Sequence, residues 1–555
     1  MGKPISNVTI VGGGTAGWMT AVLLDAFARS NSDGKRSMKI SLIESPNIPT
    51  VGVGEATVPG MPMTLRKVGI SEQQFFKTCN ASFKLGVMFD NWNNDAKGKP
   101  ISYVNPFARA PMIDQIDAGY FFQEYGAGGL DFVQSFSPSV DLGAACKGPR
   151  PLGGKEYDST VGYAYHLDAG RFAGMLKEVC IARGVEHILD DMLEVKQDER
   201  GFITGLELKD RGHHPIELVI DCTGFRGLII NEALKEPFVS YSKYLANDRA
   251  MAVQIPHPDE KIEPMTHASA LGAGWSWRVP LFNRIGTGYV YSSAHRTDEE
   301  AREEFVKHLG VKDAEPRVIP MRVGRNQNAW VKNCVAIGLS GGFIEPLEST
   351  AIHMIDAGVK WLINLFPDSD FADPLRKRYN TLTGKLYDEV RDFICLHYAL
   401  GNRTDDEYWI DARSQLEVPD SLAENLELWK YKLPATFDLG FASLFSSATY
   451  TTVLLGKRVY ETGYGEGTFD SGGALDAARW KTYLARSRKR TEGIVKATAD
   501  HRTLLTELRG ELVPPAEPWA LQSGNPTVPL PGMAPQARAI VKLPEFRAND
   551  EAGLL

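Results

Sequence analysis

The stretch Val8-Thr9-Ile10-Val11-Gly12-Gly13-Gly14-Thr15-Ala16-Gly17-Trp18-Met19-Thr20-Ala21 decides the fold. A β-branched apolar run leads straight into G-x-G-x-x-G, and Ala21-Val22-Leu23-Leu24 continues with helix-forming residues. The order reads as strand, tight turn, helix. In such a unit Gly12 permits the turn, Gly14 lets backbone approach a pyrophosphate, and Gly17 lets the helix pack against the strand. The helix N-terminus offers free N–H groups and a positive dipole end to the phosphates. A second apolar strand, Lys39-Ile40-Ser41-Leu42-Ile43, ends in Glu44, a carboxylate placed to accept ribose hydroxyls. A glycine pattern alone is weak. With a strand before it, a helix after it and an acid at the next strand's end, it predicts a dinucleotide site; the bland alternative is a glycine turn without a ligand.

Around this unit, 555 residues are enough for several lobes and a large core. The net charge of −8 gives no electrostatic case for nucleic acid. No apolar run of transmembrane length and no signal-peptide pattern stand out, so no membrane partner is expected. The six cysteines are scattered without a C-x-x-C pair, which predicts reduced thiols, no metal site and a cytoplasmic protein. A myristoylation pattern at Met1–Ser6 and a sequon at Asn7–Thr9 are set aside, because the first strand begins at about residue 7.

Further along, Val51-Gly52-Val53-Gly54-Glu55-Ala56-Thr57-Val58-Pro59 reads as a backbone-rich loop able to lie against a flat ligand, or as a plain connection. Ser71 and Gln74 have capping-box spacing at a helix start. Lys84 sits among apolar and aromatic neighbours, either as a snorkelling surface residue or as a desolvated amine with a chemical task. Residues from about 97 to 160 are rich in glycine, proline and aromatics and read as an insertion covering a pocket. Leu218–Gly227 is a buried strand entering a second glycine turn. Trp275 and Trp277 share one strand face, with Tyr289–Ser293 as candidate partner, a pairing that more often means core than function. Asn333–His353 repeats strand, glycine loop and helix, with Glu348-Ser349-Thr350 at the helix start as a plain cap or an anion site. Ile355, Val359, Leu362 and Phe366 recur at helical spacing up to Pro367. Helices are also expected over Tyr379–Tyr398 and Ala477–Leu508.

Together these motifs resemble those of the flavin-dependent tryptophan halogenases. Val11–Trp18 looks like that family's opening, Gly54–Thr57 like its flavin loop, and Asp221–Gly227 also fits. Trp275-Ser276-Trp277-Arg278-Val279-Pro280 matches its W-x-W-x-I-P signature with Val for Ile, and Phe343–Thr350 is similar to its second signature almost letter for letter. The resemblance implies an α/β FAD-binding fold of the glutathione-reductase and hydroxylase type plus a mainly helical, substrate-covering C-terminal region. The division expected is 1–370 for the FAD module, with the inserted segment at about 97–160, then 371–510 for the helical region and 511–555 for a proline-rich tail.

By the same resemblance, FAD would be held by Gly12, Gly14, Thr15, Ala16, Gly17, Glu44, Gly54, Ala56, Val58, Val195, Gly338 and Leu347. Lys84 would be the essential lysine, Glu348 the catalytic glutamate and Ser349 its helper. The amides of Thr350 and Ala351 would form the halide site. Trp275 and Trp277 would keep organic substrate from the flavin. FADH2 from a separate NAD(P)H-dependent flavin reductase, with O2 and chloride or bromide, would yield hypohalous acid that halogenates an aromatic ring. Tryptophan-specific members carry His-Phe-Tyr-His-Pro-Phe to sandwich the indole. The counterpart here, Ser102-Tyr103-Val104-Asn105-Pro106-Phe107, places Tyr103, Pro106 and Phe107 in the substrate pocket. Around Phe445–Tyr450 the Tyr/Glu/Trp-rich grip for an amino-acid end is missing, which favours free indole or an indole derivative over tryptophan. A homodimer is allowed for. Two rivals, a single-component FAD aromatic hydroxylase and a non-catalytic FAD-fold binding protein, fit less well. The hydroxylase typically carries Gly-Asp where this chain has Gly338-Leu339-Ser340, and the binding protein has no need for Lys84 or Glu348.

Overall fold

Strand Asn7–Val11 lies third in a six-stranded sheet, flanked by Lys39–Glu44 on one side and Leu218–Asp221 on the other. In this computed structural model the residues described are 2–30, 37–48, 54–311, 314–440, 443–465 and 475–510. The front of the predicted flavin loop, Val51-Gly52-Val53, and the proline-rich tail 511–555 lie outside them.

The sheet runs Glu186–Leu189, Lys39–Glu44, Asn7–Val11, Leu218–Asp221, Cys334–Ala336, all parallel, with Trp330–Val331 antiparallel at one edge. Val8, Thr9, Ile10 and Val11 are all buried, the continuous burial expected of a parallel strand covered on both faces. Helix Thr15–Ser30 packs on helices Ala169–Ala182 and Ala351–Asn364. The turn between strand and helix admits only glycine at two points. Gly12 has φ 119°, and a Cβ there would meet the Cys222 carbonyl oxygen at 2.2 Å; a Cβ on Gly17 would meet the Gly12 oxygen at 1.9 Å. Gly14 has open space where its Cβ would be. This is the α/β architecture predicted.

A second, seven-stranded sheet carries the aromatic signature. Its order is Arg317–Pro320, Arg249–Ile255, Ile285–Tyr291, Gly274–Pro280, Thr266–Ala270, Gly86–Asn94, Pro100–Pro106. Gly274–Pro280 pairs antiparallel with Ile285–Tyr291, with Trp275 opposite Val290 and Trp277 opposite Gly288. The partner strand thus spans slightly earlier residues than Tyr289–Ser293. A small three-stranded sheet, with Ala164–Asp168 between Gly54–Ala56 and Ser82–Lys84, brings the flavin loop alongside Lys84.

Two expectations need correction. The segment 97–160 is not wholly an inserted cover: Pro100–Pro106 is an edge strand of the seven-stranded sheet, paired with Gly86–Asn94. The irregular strand end at Asn91–Asn94 and the polar turn Asp95–Lys99 hid this hairpin in the sequence. The rest of the segment holds the short helices Ala118–Tyr125 and Ser139–Ala144, tied down by a buried ion pair of Arg150 with Glu72 at 2.6 Å. The basic helix predicted over Ala477–Leu508 is two helices, Ala477–Ala497 and His501–Leu508. Thr498 is extended, and the Asp500 side chain accepts the Thr503 N–H at 2.9 Å, so a new helix starts there. Helix Ala351–Asn364 ends before Phe366 and Pro367, and Ser71 caps helix Glu72–Cys79 by accepting the Gln74 N–H.

The helix expected over Tyr379–Tyr398 is Asp373–Ala399, about 40 Å long. Its start is partly exposed, while Val390, Phe393, Ile394, Cys395, Leu396, His397 and Tyr398 are all buried. A helix apolar all round belongs in a core. Its buried end reaches the loop that carries Glu348.

Candidate active site

Lys84 closes the short strand Ser82–Lys84, which follows helix Glu72–Cys79 after a left-handed Asn80 (φ 47°). All three strand residues are fully buried, so the lysine cannot snorkel. Its Nζ donates to Ser349 Oγ at 2.8 Å and to the Thr57 carbonyl at 3.2 Å, and lies 5.4 Å from the Phe107 ring centre. Burial lowers its pKa to about 7, against an opposing pull from the Glu348 charge. Thr57 is itself fixed: its N–H donates to the Tyr165 carbonyl at 2.8 Å, and its hydroxyl accepts the Tyr165 N–H at 2.9 Å. The amine therefore spans the flavin loop and the loop before helix Ala351–Asn364.

That loop, Gly342 to Thr350, holds two buried glutamates. Glu348 is 5% exposed, and both its oxygens accept from Asn105 Nδ2 at 3.1 Å. His397 Nε2 lies 3.2 Å from Glu348 Oε1 but off the line of a formed hydrogen bond. The Glu348 carboxylate accepts no bond from Lys84; its neighbour Ser349 does. Ser349 has φ 60°, a left-handed conformation costing about 1–3 kcal/mol in a non-glycine residue, and its N–H donates to the Pro346 carbonyl at 3.0 Å. Such strain is found where the surroundings dictate the geometry, as at catalytic loops.

The second glutamate, Glu345, gathers three donors on Oε2: Trp275 Nε1 at 2.7 Å, Asn247 Nδ2 at 2.8 Å and Tyr398 OH at 2.9 Å. Burial raises its pKa, with these three bonds pulling the other way. Its Oε1 has no partner among the described residues. The loop is thus joined to the W-x-W strand on one side and to the long helix on the other.

The sequence model of tryptophan halogenases matches residues 7–468. The chain belongs to the tryptophan halogenase family. Tryptophan 6-halogenase SttH of Streptomyces toxytricini is 39% identical over 453 residues, covering 77% of this chain and 84% of that protein. Among solved structures, the tryptophan halogenase from Shewanella frigidimarina NCIMB 400 superposes with a TM-score of 0.85 at 34% identity, covering 92% of this chain and 99% of its own. Tar14, a tryptophan C-6 flavin-dependent chlorinase from taromycin biosynthesis, gives 0.84 at 35%, covering 91% and 100%. The chain is therefore an enzyme, and as a tryptophan halogenase it belongs among flavoproteins that use FAD with halide and O2.

Apart from Val195, the residues predicted to hold FAD are placed compatibly with that group. Helix Thr15–Ser30 has no acidic residue in its first turn, so nothing competes with phosphate there. Glu44 Oε2 accepts from His187 Nε2 at 2.8 Å and Lys177 Nζ at 3.0 Å, and Oε1 takes neither bond. Gly54 and Ala56 line the strand beside Asp168 and His166, and Val58 follows at the start of the next turn. Gly338 packs so closely on Ala16 that a Cβ would approach it to 2.6 Å. Leu347 is buried in the loop that carries Glu348. Val195 stands apart, on strand Met192–Gln197 of a separate antiparallel sheet, packed against the core around Val11 and Ile43. The N–H groups of Thr350 and Ala351, at the helix start, find no acceptor among the described residues. Trp275 is buried and Trp277 half-buried, their rings 6.3 Å apart and edge-to-face.

Of the three predicted pocket residues, only Phe107 faces Lys84. Pro106 is buried at a strand end opposite Gly86, and Tyr103 stands behind Glu348, its hydroxyl 2.9 Å from His397 Nδ1. The sequence reading missed Asn105, His397, Glu345 and Thr57 as neighbours of the site. Asn105 alone left a trace, because it occupies a histidine position of the family's indole-binding run. Among the described residues no group of three or more metal-ligating side chains converges, and no helix is long and apolar enough to cross a membrane.

Proposed function

We propose that this enzyme halogenates an electron-rich indole ring, with Lys84 delivering the halogen and Glu348 taking the ring proton. One observation carries the reading: a buried amine with a lowered pKa and a buried carboxylate meet across Ser349 in an enclosed site. Bound FADH2, supplied by a separate reductase, would with O2 convert chloride or bromide into hypohalous acid. The Thr350 and Ala351 amides hold the halide at the positive end of a helix. Trp275 and Trp277 bar the organic ring from the flavin side.

A lysine titrating near 7 is partly unprotonated at neutral pH, so its nitrogen can attack the halogen of hypohalous acid. The N–halogen bond forms as the O–halogen bond breaks, and the amine proton leaves with hydroxide as water. The protonated amine can instead hold hypohalous acid by a hydrogen bond; either way the halogen is fixed before it meets the ring. Glu348 stabilises the cationic ring and accepts its proton. Enclosure keeps the oxidant from bulk water, where selectivity would be lost.

For the substrate, the favoured class is free indole or an indole derivative without a free amino-acid end. One feature supports this. Asn105, at a position the family's tryptophan binders give to histidine, is committed to Glu348. A separate open groove of about 1510 Å³ runs from Pro59 and Gly162 to Glu389 and Tyr450, and neither Lys84 nor Glu348 lines it. An indole panel with chloride and bromide, a flavin reductase and mass detection tests the reading. Halide-dependent mass gain on indole or its larger derivatives above that on tryptophan supports it; strong preference for tryptophan overturns the substrate choice, and absence of halogenation overturns the whole.

A further inference from the structure

Glu348 must do two things that oppose each other. It has to stay in one place inside an apolar wall, and it has to remain a base able to take a proton. A direct Lys84 pair would fix it but weaken it as a base. The structure avoids that pair and surrounds Glu348 with neutral donors instead: Asn105 Nδ2 on both oxygens and His397 Nε2 at 3.2 Å. Catalytic hydrogen bonds are often misaligned before substrate binds, so the off-line approach of His397 does not disqualify it.

His397 is held on every side. Its ring stacks on Phe89 with centres 4.6 Å apart and meets Phe393 edge-on at 5.3 Å. Its Nδ1 lies 2.9 Å from the Tyr103 hydroxyl, and Tyr103 in turn stacks on Phe89 at 4.9 Å. Burial pushes the imidazole pKa down and the Tyr103 phenol pKa up, so both stay neutral near pH 7. The only other charged group facing this pair among the described residues is Lys457, whose Nζ lies 5.9 Å from the Tyr103 ring centre. A tyrosine hydroxyl that donates to Nδ1 leaves the proton on Nε2, the nitrogen beside Glu348.

We propose that Tyr103 and His397 form a positioning pair for Glu348: Tyr103 fixes the His397 tautomer, and His397 Nε2–H holds Glu348 Oε1 in place. In this arrangement Tyr103 acts through His397, and His397 through Glu348. The proposal rests on the reading of Glu348 as the base.

The test measures ring halogenation of indole by mass spectrometry and hypohalous acid output with monochlorodimedone, in wild type, Tyr103→Phe, His397→Leu, His397→Gln and Glu348→Gln. Loss of a hydrogen bond to a charged group predicts that His397→Leu lowers kcat for ring halogenation about 10–100-fold, with KM and acid output unchanged. His397→Gln, which keeps a donor near the Nε2 position, returns to within about 3-fold of wild type, and Tyr103→Phe falls between the two. His397→Leu combined with Glu348→Gln is no slower than Glu348→Gln alone, because residues acting as a unit are not additive. Additive losses in the double variant, or a parallel fall in acid output, would assign His397 a merely structural role and overturn the proposal. If Glu348→Gln itself leaves ring halogenation unchanged, the base assignment fails first, and that outcome is distinguishable from failure of the positioning pair.

Discussion

Lys84 is bonded to Ser349 and not to Glu348, its acidic neighbour one residue earlier. The lysine reaches the glutamate's loop through Ser349 without pairing with the carboxylate. Each keeps its own chemistry: a nitrogen that can carry halogen and an oxygen that can take a proton.

Replacing Lys84 by alanine removes ring halogenation while FAD binding persists, because the glycine turn at Gly12–Gly17 is untouched. Flavin absorbance after gel filtration and product mass read the two properties separately. An active Lys84→Ala enzyme refutes the delivery role.

Ser349→Ala removes one of two acceptors from the lysine amine, so its titration moves further below 7. A pH series of ring halogenation then shows the lysine-dependent limb at lower pH than in wild type, with a rate loss of about 10-fold. An unchanged limb would mean that Ser349 has no hold on the amine.

Glu345→Ala strands three buried donors, Trp275, Asn247 and Tyr398, each at a cost of about 1–3 kcal/mol. Denaturant unfolding therefore shows a large stability loss, whereas Glu345→Gln, which retains an acceptor oxygen, loses much less. Equal losses in the two variants would contradict this account of the network.

Stability depends on pH through groups of opposite sign. Burial lowers Lys84 and Lys457 to about 7, so between pH 7 and 10.5 the unfolded chain binds more protons at each of them than the folded one. Unfolding free energy gains about 1.4 kcal/mol per pH unit from each lysine in that window. His267 runs the other way. Burial opposes its charge, but bonds to Asp90 and Glu263 outweigh this and raise it to about 9. Its contribution is complete below pH 6.5 and is lost as pH rises through 9. Lys457→Met should flatten the alkaline rise in urea titrations, and His267→Gln should steepen it between pH 6.5 and 9.

Much of the nucleotide unit was legible because its backbone demands unusual residues. Gly12 and Gly17 occupy points where any side chain collides, and such positions advertise themselves. The W-x-W strand and the helix start at Thr350 were legible for a similar local reason, period two in one case and a glycine loop feeding a helix in the other. The neighbours of the catalytic pair were not. Asn105 meets Glu348 across 243 residues of chain, and Lys84 meets Ser349 across 265, so no local spacing reports either contact. His397 looked like any polar residue on a long helix, since its defining contacts, the Phe89 ring and the Tyr103 hydroxyl, come from the seven-stranded sheet. The hairpin containing Pro100–Pro106 was hidden by its polar turn.

Adjacent residues of helix Asp373–Ala399 reach the two glutamates of one loop: His397 approaches Glu348, and Tyr398 grips Glu345, from which Trp275 also hangs. The same helix contributes Leu382, Lys385, Leu386 and Glu389 to the wall of the open groove. Its middle and its C-terminal end therefore belong to different tasks, and a rigid rod joins them. Reshaping the groove through large substitutions on this helix will disturb the proton acceptor and the tryptophan screen together. The facing wall is no independent handle, because the Ser443 hydroxyl and the Phe445 N–H both donate to Glu389 of the same helix.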